Sequence, residues 1–228
     1  SLFHNSSILH ALWVSIEVAL LSAVIATVLG TAASLGIASM SRRSRLLVTN
    51  ITYIPVVNPE IITGISLMLL FVAYQRFAEG ASWLPDTIMG FPTLLIAHIA
   101  FNVPYVIFNV SPKLKQLDIK LYEAALDLGA SAGLALRKVV IPQLIPGIVS
   151  GFMLSVTLSL DDYFITTYTK PSTFDTISTY VVNATKGSHT EIKTALWALS
   201  TLIFVVIVAG VLAWNLLADR KAGAENER

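Results

Sequence analysis

The sequence predicts an all-α fold, a polytopic bundle of membrane-spanning helices, and three observations predict it. Hydrophobic residues make up 55% of the chain and charged residues only 13%, whereas a soluble domain carries about 25% charged residues. Long apolar runs recur along the chain, each near the ~20 residues a helix needs to cross hydrocarbon. The lysines and arginines gather in alternate intervals between those runs.

Five spans meet the length test: 12–39, 46–76, 88–110, 143–165 and 194–217. Pro55 and Pro59 fall inside the second, so 46–57 reads as a kinked or partly interfacial lead-in to it. Arg42, Arg43 and Arg45 follow the first span, Lys113, Lys115, Lys120, Arg137 and Lys138 follow the third, and Arg220, Lys221 and Arg228 follow the fifth. The opposite intervals hold Arg76, Lys170, Lys186 and Lys193. That excess of basic residues on one side predicts an N-terminus outside and a C-terminus in the cytoplasm of a multi-pass protein. A chain entering from outside, with no leader pattern at Ser1-Leu2-Phe3-His4, predicts a further span upstream. The spans form one domain over 1–221, and the polar 222–228 reads as a disordered tail.

Several chemistries are excluded early. A net charge of +1 with no basic stripe argues against a nucleic-acid partner. With no cysteine and with His4, His10, His98 and His189 scattered, no metal-ligand spacing exists. No G-x-x-x-x-G-K-[ST] run appears, and no nucleophile stands beside a base. Neither a catalytic role nor a cofactor is expected.

The loop at 111–142 is the most informative interval. Ile119–Leu128 reads as one short helix with Leu121, Ala124, Ala125 and Leu128 on a single stripe. Gly129 is placed to end it in a left-handed cap. Ser131 is placed to cap a second short helix through Arg137-Lys138, closed by Pro142. Two short helices joined at a glycine make a rigid knob, with small alanines for close approach and Glu123 for register. An amphipathic loop lying on the membrane surface would show the same stripe.

Glu123-Ala124-Ala125, three residues, Gly129, nine residues, then Val139-Val140-Ile141-Pro142 resembles the EAA signature, EAA-x3-G-x9-I-x-L-P, of ABC-importer permeases. Val139 and Ile141 depart from it conservatively. Asn58-Pro59-Glu60-Ile61-Ile62-Thr63-Gly64, Tyr122–Ser131 and Leu158-Ser159-Leu160-Asp161-Asp162 are similar to the spermidine/putrescine permeases, over nearly the whole chain. The resemblance implies a type I ABC importer permease fold, normally of six spans, with the first one missing here. It implies a bacterial inner-membrane location and a coupling role toward a cytoplasmic ATPase dimer for Glu123, Ala124, Ala125, Leu128 and Gly129. It also implies a second permease subunit in a heterodimer and an extracytoplasmic substrate-binding protein, met by the outer loop 166–193. Related permeases carry ferric iron, sulfate or opines, so the substrate stays open on resemblance alone.

Carboxylates at membrane depth are costly and tend to face a cavity or a partner. Glu17, Glu60, Asp161 and Asp162 are such groups. Asp161 and Asp162 point about 100° apart on a helix, so only one of them is expected to face a path, with the choice between them open; the alternative is that the pair caps a helix end or bonds a neighbouring helix. Spaced carboxylates with aromatic faces, among them Tyr163, suit a flexible polyamine cation. Glu60 follows Pro59 where a helix is expected to break, and polar groups at such breaks line paths. Glu17 fits helix packing better. Gly147-x-x-x-Gly151 allows close helix contact, and His98, Asn102 and Asn109 are placed for interhelical hydrogen bonds. A proton-coupled secondary carrier would use the same acids, but it predicts an internal repeat that is not visible and gives the knob no task.

Overall fold

The computed structural model describes residues 6–79, 90–186, 201–206 and 208–209. The chain divides into two compact units, His10–Thr179 and Ser1–Leu9 with Tyr180–Arg228. The described part of the smaller unit is helical. The expected fifth span at 194–217 lies largely, and the tail at 222–228 wholly, outside the described residues.

In chain order the elements are α1 (Ser6–Ser39), α2 (Arg42–Val57), α3 (Glu60–Glu79), α4 (Phe91–Gln116), α5 (Ile119–Asp127) and α6 (Ala132–Ala135). A π-helical turn (Leu136–Val140) leads into α7 (Ile141–Asp161), followed by α8 (Phe164–Thr169) and α9 (Ile177–Lys186). Among the described residues four helical stretches are long and apolar enough to cross a membrane: Ser6–Ser39, Glu60–Phe77, Phe91–Gln116 and Ala132–Asp161.

Packing follows lipid rather than water. In α1 the buried face is mostly small, with Ala11, Ser15, Ala19, Ser22, Ala23, Ala26 and Ser34 beside Val14, Val18 and Ile37, while Trp13, Val24, Val28 and Leu29 point outward. Small residues inside and large apolar ones outside is the arrangement expected where lipid is the solvent and close backbone approach drives association. Ser15 and Ser34 donate their hydroxyls to Ala11 O and Gly30 O, four residues back, so these two polar groups are satisfied within the helix.

The core of the larger unit is the α4–α7 contact. Val106, Val110, Val140 and Leu144 pack there with Ala26 of α1. A Cβ at Gly147 would lie 2.8 Å from Asn109 O, and one at Gly151 would lie 3.3 Å from Val106 Cα. The two glycines are therefore what lets the helices meet. Ser150 donates to Asn109 Oδ1 across the same contact (3.0 Å).

Four expected boundaries are corrected. The span at 46–76 is two helices, because Asn58 is extended (φ −70°, ψ 139°) and Pro59 cannot continue the ladder. The loop at 111–142 begins as helix, since α4 runs through Pro112 to Gln116. Pro142 does not close the second short helix. It is the second residue of α7, directly after the π-helical turn, and the helical path from Ala132 to Asp161 is unbroken. The span at 143–165 ends at Asp161, and the outer loop at 166–193 contains α8 and α9.

Candidate functional site

Two regions bear the residues singled out by sequence. The first is α5. Asp118 caps its start, the carboxylate accepting from Lys120 N (3.0 Å). Its end is a Schellman motif: Gly129 N donates to Leu126 O (2.9 Å) and Ala130 N to Ala125 O (3.0 Å). Gly129 has φ +86°, the only positive φ among the described residues. A nine-residue helix is too short to stand alone in water, so these caps and its anchors define it.

The anchor is Tyr122, which packs with Leu117 and Leu136 against the α4–α7 core. The stripe read from sequence faces the other way. Leu121 is 50% and Leu128 89% exposed; Glu123 and Ala124 are exposed and Ala125 is half-buried. None of α5 is fully buried. The result is an apolar surface flanked by two exposed carboxylates, Glu123 and Asp127, neither of them in an ion pair within the described residues.

The second region is where two broken helices meet. Counting 1.5 Å per residue, the α2–α3 break lies about 25 Å from the start of α2, and the α7–α8 break about 30 Å from the start of α7. α3 packs on α8 so tightly that a Cβ at Gly64 would lie 3.1 Å from Phe164 O and 3.1 Å from Tyr168 Cδ2. This brings Glu60, the first residue of α3, within electrostatic reach of Asp161 and Asp162, and of the Tyr105 hydroxyl.

The two aspartates have opposite surroundings. Asp162 is buried, and its carboxylate accepts from Ile165 N (3.2 Å), Thr166 N (2.7 Å) and Thr166 Oγ1 (2.8 Å), capping α8. Its carbonyl accepts from Ser178 Oγ, tying the start of α9 to the same corner. Asp161 ends α7 with its carboxylate exposed. Tyr163 is half-buried between them and α8, edge-on to Phe164 at 5.3 Å.

Behind the corner runs a buried polar chain that no local motif announces. Thr166 gives its proton to Asp162, so the Thr166 oxygen accepts from His98 Nε2 (3.0 Å), which must carry hydrogen. His98 Nδ1 meets Ser159 Oγ (3.1 Å), and Ser159 accepts from Asn102 Nδ2 (2.7 Å) and lies 3.1 Å from Ser22 Oγ. His98 Nε2 is itself 3.7 Å from Asp162 Oδ2. One network thus joins α1, α4, α7 and α8. Sequence placed His98 and Asn102 among interhelical donors but missed Ser22, Ser159 and Thr166, which carry no pattern of their own. Glu17 lies on an exposed position of α1.

Comparison with known proteins adds the following. The family model described as binding-protein-dependent transport system inner membrane component matches residues 9–223. The chain is 31% identical over 221 residues to the spermidine/putrescine transport system permease protein PotC of Escherichia coli (strain K12), across 96% of this chain and 78% of that protein. It is 34% identical over 220 residues to the putrescine transport system permease protein PotI of the same organism, across 95% and 75%. A crystal structure of an amino acid ABC transporter with histidines superposes with TM-score 0.58 over 89% of this chain and 91% of that one, at 18% identity, a likeness of fold alone.

Proposed function

This chain belongs to the family of binding-protein-dependent transport system inner membrane components, the permeases of ABC importers, and from that premise we propose a polyamine as its cargo and the Glu60–Asp161 corner as part of its path. The observation that carries the reading is the meeting of two helix breaks. It sets an exposed Asp161 within electrostatic reach of Glu60, with Tyr163 alongside. Spaced carboxylates next to an aromatic ring match a chain of ammonium groups better than they match an anion. The names of the polyamine-transporting relatives support the same class. Asp162 takes part by holding the corner in shape, its own oxygens being occupied by α8.

Energy enters at the other region. The exposed stripe of α5, with Glu123, Ala124, Ala125, Leu128 and Gly129, is the surface offered to a cytoplasmic ATPase dimer. That assignment sets the α5 end and the C-terminus in the cytoplasm and the Asp161 corner toward the outside, where a substrate-binding protein would deliver cargo. A second, non-identical permease subunit completes the path. Closure of the two ATPase domains on nucleotide would move α5 as a rigid body and exchange the accessible side of the path.

The test is co-purification followed by uptake. The chain should bring down an ATPase, Glu123→Arg should abolish that association, and Asp161→Asn should weaken spermidine uptake with assembly unchanged. Uptake that persists without any ATPase sinks the coupling assignment. Spermidine uptake unaltered in Asp161→Asn removes Asp161 from the path.

A further inference from the structure

A cleft of about 830 Å³ opens between the end of α1, α2, the end of α4 and the inner side of α5. Its walls are apolar, with Leu35, Leu46, Phe108 and Leu136 among them, and Ile119 and Tyr122 of α5 close one side. Two cations line it, Arg45 and Lys115. Arg45 is held in place, Nη2 donating to Ala38 O (2.6 Å) and Met40 O (3.0 Å) at the end of α1. Its Nη1 and Nε hydrogens remain for another acceptor. Arg42 and Arg43 stand in the same first turn of α2. Among the described residues none of these four cations is ion-paired with a carboxylate.

We propose that this cleft is a binding site for an anionic phospholipid, its phosphate on Arg45 and Lys115 and an acyl chain against the apolar wall. The charge is complementary and unspent, and cations beside an apolar wall at a helix end recognise an anionic headgroup with its chain. Free phosphate would satisfy the cations and leave the wall wet, so the lipid fits the whole cleft and the ion only its rim. The location gives the site a consequence. The occupant touches Ile119 and Tyr122, the inner face of the helix whose outer face is offered to the ATPase, so lipid occupancy would stiffen the seat of α5. The inference needs the membrane setting that family membership supplies, and neither the cargo nor the sidedness proposed above.

The test is lipid retention by the full chain, purified in mild detergent with the subunits that accompany it and exchanged into an equimolar mixture of phosphatidylglycerol and phosphatidylcholine. Native mass spectrometry then counts the lipids retained. Wild type should hold one phosphatidylglycerol per copy in preference to phosphatidylcholine. Each cation near the surface is worth about fivefold in affinity, so Arg45→Gln with Lys115→Gln should lower the preference by roughly 25-fold. Arg137→Gln with Lys138→Gln removes the same charge from the same end outside the cleft and should retain the lipid. Because Arg45 also caps α1, Leu46→Trp serves as a second probe, filling the cleft with the cations intact; it too should lose the lipid. Equal retention by the cleft variants, equal loss in the control pair, or displacement of the lipid by millimolar inorganic phosphate would each overturn the proposal. Cargo uptake does not enter the readout, so a wrong cargo assignment would leave this result unaffected.

Discussion

His98 Nε2 and Thr166 Oγ1 lie 3.0 Å apart, and the direction of that bond is fixed by what Thr166 does with its own hydrogen. Because the threonine proton goes to Asp162 Oδ2, its oxygen can only accept, and His98 must donate from Nε2. The imidazole of α4 therefore holds the first turn of α8, and through it the Asp162 cap that shapes the corner bearing Asp161. A polar residue facing lipid would gain nothing from such an arrangement. His98 is 1% exposed, so the bond is made entirely within protein.

Breaking this relay should loosen α8 while leaving Glu60, Asp161 and Asp162 in place. Interhelical hydrogen bonds in membranes are worth about 0.6 kcal/mol on average and up to about 1.7. Thr166→Val removes the hydroxyl at nearly constant volume, and His98→Leu removes the donor. Each should lower the thermal transition of the purified assembly. A double-mutant cycle should return a coupling of about 0.6–1.7 kcal/mol, and a coupling of zero would mean the two side chains act independently.

Asp161 and Asp162, adjacent in sequence, should respond in opposite ways to the same substitution. Asp162→Asn exchanges a carboxylate oxygen for an NH2 facing backbone donors of α8, leaving buried groups unpaired at a cost of about 1–3 kcal/mol. It should reduce the yield of assembled protein and its melting temperature. Asp161→Asn changes an exposed group and should leave melting unchanged while raising the KM for spermidine uptake. Melting curves and uptake kinetics on the same preparations separate the two.

How far the sequence revealed the structure depended on whether a signal was local. The bounds of α5 were readable because Asp118, Gly129 and the 3.6-residue stripe are all within one short segment. The break at Asn58-Pro59 was half readable, since a proline announces a kink but not a complete split. α8 was hidden because apolar residues resume at Tyr163-Phe164-Ile165 directly after Asp161-Asp162, and an acidic pair marks a polar site within a span as readily as it marks a helix end. The polar chain was the least legible part. His98 is 61 residues from Ser159 and 68 from Thr166, and Ser22 is 137 from Ser159, and a lone hydroxyl in an apolar helix looks the same whether it bonds a neighbour or its own backbone. Orientation of the α5 stripe was likewise undetermined: periodicity finds a stripe but does not say which side packs, and Tyr122 proved to be the inward residue.

Three glycines in spans should rank by the room around them. At Gly147 an added Cβ meets a backbone oxygen at 2.8 Å and the Lys113 side chain at 2.9 Å, at Gly151 the nearest atom is at 3.3 Å, and at Gly36 nothing lies within 4 Å. Gly147→Ala must push α7 away from α4 and should cost about 1–3 kcal/mol. Gly151→Ala should cost less, because contacts of that length need only a small shift. Gly36→Ala should stabilise α1 by about 0.5–1 kcal/mol, since it gains helix propensity with no clash. Detergent-solubilised thermal unfolding of the three variants checks the order.

The last expectation concerns the two caps of α5, which differ in what they protect. Asp118→Ala removes one capping bond at the start and should cost about 1 kcal/mol of local helix stability. Gly129→Ala forces a Cβ into the left-handed region at φ +86°, at about 1–2 kcal/mol, although no atom stands within 4 Å of the new methyl. The penalty is thus purely one of backbone conformation, and Gly129→Asn, which tolerates that region better, should recover part of it. Both cap variants leave the α4–α7 core intact, so global melting should hardly move. Amide exchange at Leu128, Gly129 and Ala130 should instead quicken in Gly129→Ala and slow again in Gly129→Asn. Association with the ATPase should weaken in the same order, because a frayed α5 presents Glu123 and Leu128 in no fixed geometry. Faster exchange with undiminished association would show that the partner itself orders the helix.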